Sequence, residues 1–361
     1  MLRIILLLTI ISCLYACGSG SKNKDYLPKA TGSPGDIILV IDSMQWKGPV
    51  GEELRNIFSA DVPGLPRDES LFNVINVHPS DKIYLLTQIR NLIYVFTLDQ
   101  KTPGAQRMIK EFTPETIDQI RSDSSYYIYT AEDVNAKGQE VVYLFGQTQE
   151  SLIRHLKENG QNLIDLFNNL ERERLEAKLF KTKTTGSISE FLKKEQQCSI
   201  GLPYGFKLAD KQNDFIWFRQ IELEVDKDVF ITWKPYESEY QLLPDSLIAW
   251  RDATTKKYLF EDPENVASYI LTETEVPFNP VTARQSRINN HYAMELRGLW
   301  RTNNKSMGGP FVGYALVDEP RGLVYYIEGF TYSPSKPQRE IMRELETILK
   351  TFKTSADLNK K

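Results

Sequence analysis

The chain has 361 residues, 41% hydrophobic and 25% charged, the composition of an ordinary folded body of about two domains. Its 44 basic and 48 acidic residues give a formal net charge of −4, without the basic excess of a nucleic-acid platform. The three His and three Cys are scattered singly, so no zinc-type ligand spacing occurs.

At the start, Arg3, the run from Ile4 to Ile11, apolar apart from Thr9, and the small Ala16 read as an export signal over residues 1–16, too short for a spanning helix. Cys17 follows directly, where a lipoprotein signal places the thiol that receives the lipid. Ile10-Ile11-Ser12-Cys13 fits the usual lipobox more closely, but cleavage there strands Leu14 and Tyr15 at the mature end. We therefore expect lipidation at Cys17; the alternative is an ordinary secreted protein cut after Ala16. Residues 17–34 form a Gly-, Ser- and Lys-rich tether, and a flexible chain of that length spans roughly 20–25 Å. The body is then expected in the cell envelope, lipid-anchored at the outer membrane and facing the periplasm. With Cys17 acylated and Cys13 removed, Cys198 has no disulfide partner and is expected buried.

Residues 35–183 read as an N-terminal α+β domain. Asp36–Asp42 is a strand-length apolar run, Val50–Phe58 a helix, Phe72–Val77 and Leu92–Leu98 strands, and Ala105–Arg121 one polar helix. Tyr126–Thr130 and Glu140–Phe145 read as a strand pair around the turn Asn135–Gly138. A long amphipathic helix runs from Gln149 to Phe180, its apolar stripe carried by Leu152, Leu156, Leu163, Phe167 and Leu170.

Residues 184–354 read as a C-terminal α+β domain, with a disordered tail at 355–361. A short helix at Ile188–Lys194 precedes a hairpin over Asp214–Trp233, its turn placed at Asp226-Lys227-Asp228. A helix from Pro244 to Lys257 comes before an antiparallel meander of Tyr292–Trp300, Pro310–Val317 and Val324–Tyr332. The last helix, Pro337–Phe352, is amphipathic and suited to lie on a sheet. The fold class expected is α+β: two α+β subdomains, each an antiparallel sheet with packed helices.

No HExxH, GxSxG, GxxxxGK[ST] or helix-opening GxGxxG occurs, so no catalytic or metal residue is assigned and no cofactor is expected. Paired carboxylates are what a sequence can hide, and Asp36, Asp42, Glu237, Glu239, Glu295 and Glu328 are the acids considered for such a pair. The densest cluster is late: Glu295, Arg297 and Trp300 on one strand, then Met307, Gly308 and Gly309. Glu295 and Arg297 are two apart and share a strand face. Arg beside aromatic rings suits an anion, a sugar or a carboxylate, and the paired glycines would let a ligand approach the backbone. The plainer account is an ion pair on a sheet face and a Gly-rich hairpin loop.

The lipoprotein start together with Tyr204-Gly205-Phe206, Arg297-Gly298-Leu299-Trp300, Met307-Gly308-Gly309-Pro310-Phe311 and Glu328-Gly329-Phe330 resembles an uncharacterised domain-of-unknown-function family of Bacteroidota lipoproteins, over nearly the whole mature chain. The resemblance implies an envelope location and supplies no catalytic residues. The expectation is a membrane-anchored binding or scaffolding protein with an envelope protein or glycan as partner, using the Glu295–Phe311 region. The alternative is a metal-independent hydrolase of envelope polymers.

Overall fold

A computed structural model describes residues 26–181, 186–262, 265–277 and 279–359. The export signal, Cys17, the tether up to Asp25 and residues 182–185 lie outside the described residues. The chain divides into two compact units. One contains the residues up to Leu54 with Val74–Asn159; the other contains Arg55–Asn73 with the chain from Gly160 onward.

The first unit is built on a five-stranded sheet. Its elements are β1 (Asp36–Ile41), α1 (Ser43–Lys47), the first part of α2 (Pro49–Phe58), β2 (Asn73–Val77), β3 (Asn91–Thr97), α3 (Pro103–Ile109), α4 (Pro114–Ser122), β4 (Ile128–Glu132), β5 (Glu140–Gly146) and the first part of α5 (Gln149–Leu179). The strand order is β2-β1-β3-β5-β4. The three central strands are parallel, Ile38 opposite Leu92 and Leu92 opposite Val141, and β4 runs antiparallel to β5. Residues buried on both faces explain the unbroken apolar runs of β1, β3 and β5, and the parallel pairing of these strands makes the sheet mixed where an antiparallel one was expected. One expected helix is in fact two. Pro114 starts α4 at its first turn, and Thr113 caps it by accepting from Thr116 N at 3.3 Å.

The second unit is an antiparallel sheet covered on both faces. Its elements are α6 (Gly186–Gln196), β6 (Lys207–Lys211), β7 (Phe215–Ile221), β8 (Asp226–Pro235), α7 (Pro244–Tyr258), β9 (Phe260–Asp262), β10 (Asn265–Glu273), β11 (Thr282–Ile288), β12 (His291–Thr302), β13 (Gly308–Asp318), β14 (Leu323–Tyr332), α8 (Arg339–Lys350) and α9 (Ser355–Leu358). The order is β6-β7-β8-β14-β13-β12-β10-β9, with β11 paired to β12. Alternation divides the strands between two cores. Ile231, Val312, Tyr314 and Ile327 pack with Leu345, Ile348 and Leu349 of α8. Phe230, Trp300, Phe311 and Tyr326 pack on the other face with Leu247 of α7.

The α+β class holds for both units. Two local expectations do not. The β7–β8 turn lies at residues 222–225, closed by Glu222 N donating to Val225 O at 3.0 Å, so Asp226–Asp228 belong to β8. In place of a disordered tail from Ser355, α9 is held by Ser355 donating its hydroxyl to Asp318 Oδ1 at 2.7 Å and by His291 Nε2 lying 2.9 Å from Asp357 Oδ1.

Candidate functional site

The residues expected to form a contact surface are divided between the two faces of β12. Glu295 and Arg297 do share one face, with Arg297 Nε 2.6 Å from Glu295 Oε1, but it is the face under α8. Arg297 Nη2 donates to Glu346 of α8 at 2.6 Å, and Arg172 Nη1 reaches the same carboxylate at 2.6 Å. Glu295 also accepts from Arg284 Nε at 2.7 Å and from Tyr314 Oη at 2.8 Å. Burial pushes both carboxyls upward. Arg297 overrides it for both, aided by Arg284 at Glu295 and by Arg172 at Glu346, and holds both below the usual carboxylate range. This is a helix-to-sheet clamp: Glu295 is 1% exposed, and among its partners Arg284 reaches solvent.

Trp300 faces the opposite way. Its Nε1 donates to Thr331 O at 3.2 Å and its ring packs edge-on to Phe330 at 5.5 Å. Gly309 does permit close approach, but what approaches is internal: a methyl there would lie 2.1 Å from Thr331 O and 3.1 Å from Trp300 Nε1. Gly308 is exposed at the start of β13.

On this α7 face lies a cavity of about 60 Å³ that joins Trp300 and Met307 to residues of distant segments. Its apolar wall is completed by Trp217, Phe330 and Tyr332, and its polar side by Arg219, Asp226 and Asp228. Register explains the convergence. Arg219 of β7 stands opposite Asp228 of β8, and Asp228 opposite Phe330 of β14, so their side chains share one face. Asp228 Oδ1 accepts from Trp217 Nε1 at 2.9 Å and from Arg219 Nε at 2.9 Å, while Arg219 Nη2 lies 3.4 Å from Asp226 Oδ2. The guanidinium sits 4.9 Å from the centre of the Trp217 ring. Asp228 is 2% exposed, and its burial pushes the carboxyl up to about 7 against the opposing pull of Arg219 and the Trp217 N–H. A carboxyl titrating near neutrality within aromatic walls marks a candidate site with a physical rationale. The turn expected at Asp226–Asp228 conceals that these acids face inward; the alternation Trp217-x-Arg219 against Asp226-x-Asp228 is the signal in the sequence.

The other acids considered lie in separate settings. Glu328 is fully buried on the α7 face, where Arg251 Nε and Nη2 reach its two oxygens at 2.8 Å each and Tyr326 Oη donates at 2.6 Å. Glu295 is on the α8 face, so the sheet separates it from Glu328. Asp42 caps α1, accepting from Met44 N at 2.9 Å, and Asp36 accepts from Ser33 N at 3.1 Å. Glu237 and Glu239 are exposed. Cys198 is buried, its thiol pushed up to about 12 by that burial. No group of three or more His, Cys, Asp or Glu suited to a metal ion occurs among the described residues.

Two family models match the chain, each described as a domain of unknown function: DUF8532 over residues 30–180 and DUF4837 over residues 185–351. No curated protein matches. Among solved structures, the chain is similar to the Saccharomyces cerevisiae Ran-binding protein Mog1p, with 7% identity over 44% of this chain and 90% of that one, at a TM-score of 0.28. It is also similar to human StAR-related lipid transfer protein 5, with 8% identity over 46% and 91% and a TM-score of 0.22. A Xanthomonas axonopodis STAR-related lipid transfer protein fragment has 12% identity over 41% and 94%, with a TM-score of 0.15. Likenesses this loose carry no argument about what the chain does.

Proposed function

We propose that the chain is a binding protein of the cell envelope, held to its membrane through lipidated Cys17, whose second unit captures one projecting group of a larger partner. The observation that carries this reading is the Asp228–Arg219 pair set inside aromatic walls. Rings supply stacking area, and the pair supplies directional hydrogen bonding beside it. Size selects the mode of binding. Clefts that enclose a whole small molecule measure about 300–1,000 Å³, whereas 60 Å³ admits one small substituent. A hydroxyl or amide substituent of a sugar ring, whose C–H face can stack on aromatic rings, as presented by an envelope glycan, matches this combination better than a charged peptide side chain, because Arg219, Asp226 and Asp228 already pair with one another.

A titration of glycan fragments from cell wall, followed by tryptophan emission, tests the reading. Binding should shift emission in the wild type, and Trp217→Ala should abolish the shift. If peptides perturb the emission and glycans do not, a protein partner replaces the glycan; silence towards both sinks the reading. Hydrolysis of the same polymer is favoured by one observation: Asp226 and Asp228 are two apart on one face, roughly 6–7 Å along the strand, and Asp228 titrates near 7. Asp228 Oδ1 is already engaged by two donors, which favours binding. Release of reducing ends that disappears in Asp228→Asn would reverse that preference. For the anchor, Cys17→Ser should move the protein from the membrane to the soluble envelope fraction.

A further inference from the structure

The first unit holds a second constellation, independent of the pocket. At the carboxyl end of β1 the chain turns through Asp42 into α1, placing Ser43 at the first helical position, exposed. Asp42 fixes that turn by capping Met44 N, and Gln45 fixes the helix by donating from Nε2 to Thr97 Oγ1 at 2.8 Å, at the carboxyl end of β3. His78, just beyond β2, brings Nδ1 to 3.1 Å from Ser43 Oγ and is also exposed. Gly104 of α3 makes room for this arrangement. A methyl there would lie 2.7 Å from Asp42 Oδ2 and 3.0 Å from His78 Cε1. β1, β3 and β5 are parallel, and the crevice beyond the carboxyl ends of such strands is where open sheets with parallel centres bind ligands.

We infer that Ser43 and His78 form a nucleophile–base pair that cleaves oxygen esters of carboxylic acids. Ser43 Oγ adds to the ester carbonyl carbon as its proton passes to His78 Nδ1. The carbon–oxygen bond to the alcohol then breaks, and the same proton goes to the departing alkoxide. Water hydrolyses the acyl-Ser43 ester, giving its proton to His78 Nδ1, which returns it to Ser43 Oγ; the products are one acid and one alcohol. Asp42 acts through the turn that carries Ser43 and is a positioning residue. The absence of a GxSxG strand-turn-helix signature hid this pair in the sequence, because the histidine arrives from a segment 35 residues away.

The test uses a fluorophosphonate probe on the folded protein, read by intact mass and peptide mapping, with p-nitrophenyl acetate hydrolysis alongside. The wild type should acquire one adduct, on Ser43, and Ser43→Ala none. His78→Ala should slow labelling by about 10²-fold or more, the usual loss with a general base. Gly104→Ala keeps both reacting side chains but forces Asp42 Oδ2 to shift and crowds His78 Cε1, and should slow labelling with an unchanged circular dichroism spectrum. Asp42→Asn, which keeps the capping oxygen, should retain labelling where Asp42→Ala loses it. Because Ser43 and His78 are exposed, their variants keep the fold. No adduct on Ser43, or equal rates for the wild type and His78→Ala, overturns the inference.

Discussion

Replacing Asp228 by Asn removes one buried charge and keeps an acceptor for Trp217 and Arg219. In the folded chain this carboxyl moves from its ordinary 3.8 to about 7. Between those values the folded state holds a proton that the unfolded state has released, so stability must fall as pH rises through the window and level off above 7. At 1.36 kcal/mol per pH unit the full effect is on the order of 4 kcal/mol, of which roughly 2 kcal/mol falls between pH 5 and 7. The side chain is almost wholly buried, so solvent screening removes little of this. Four of the five tryptophans, Trp217, Trp233, Trp250 and Trp300, are in the second unit, so tryptophan emission reports its unfolding. With a urea slope of about 2 kcal/mol/M, the wild-type midpoint should drop by about 1 M from pH 5 to pH 7 relative to Asp228→Asn. Two midpoint-against-pH curves that run parallel would refute the assignment of a neutral carboxyl to the pocket.

Other outcomes follow from the buried clamps and the close approaches. Arg251→Met leaves Glu328 unpaired in the core and should cost about 3–5 kcal/mol in urea unfolding, much of it recovered when Glu328→Leu is added. Glu346 is held below the usual carboxylate range, so its stabilisation is present above that range and lost as pH falls; Glu346→Gln should make acid unfolding shallower between pH 5 and 2. A methyl on Gly313 would lie 2.3 Å from Tyr326 Oη, which is fixed to Glu328, so Gly313→Ala should lower stability by about 1–3 kcal/mol. Cys198 should resist maleimide in the native protein at pH 8 and react fully in denaturant, because burial keeps it a thiol.

Much of the element plan was legible because periodicity reports burial directly. The stripe of α5, the alternation in β12 to β14 and the face of α8 are all read from which residues avoid water. The Glu295–Arg297 pairing was legible for the same reason, since two residues two apart on a strand must share a face. Periodicity does not say what covers that face. Once α8 lies on it, Glu295 and Arg297 become internal fasteners, and no local pattern in β12 distinguishes the two cases. Asp226–Asp228 was misread as a turn because acidic residues favour turns, and the cross-strand partners that keep Asp228 inside come from β7 and β14. Parallel pairing in the first sheet did leave a signal, the near-continuous apolar runs of β1, β3 and β5, which strands buried on both faces carry.

The second unit fastens a helix to each face of one sheet with charge: Arg251 of α7 to Glu328 of β14, and Glu346 of α8 to Arg297 of β12. Apolar contact alone would tolerate a helix sliding along its bed, since one greasy ridge fits many grooves. A slide of one turn, 5.4 Å, would carry Arg251 away from Glu328 and Glu346 away from Arg297, leaving buried charge without its partner at both faces. The two helices are therefore indexed, like keys that enter at a single notch. Sequence drift over the apolar positions can then reshape the interior while both helices keep their places on the sheet.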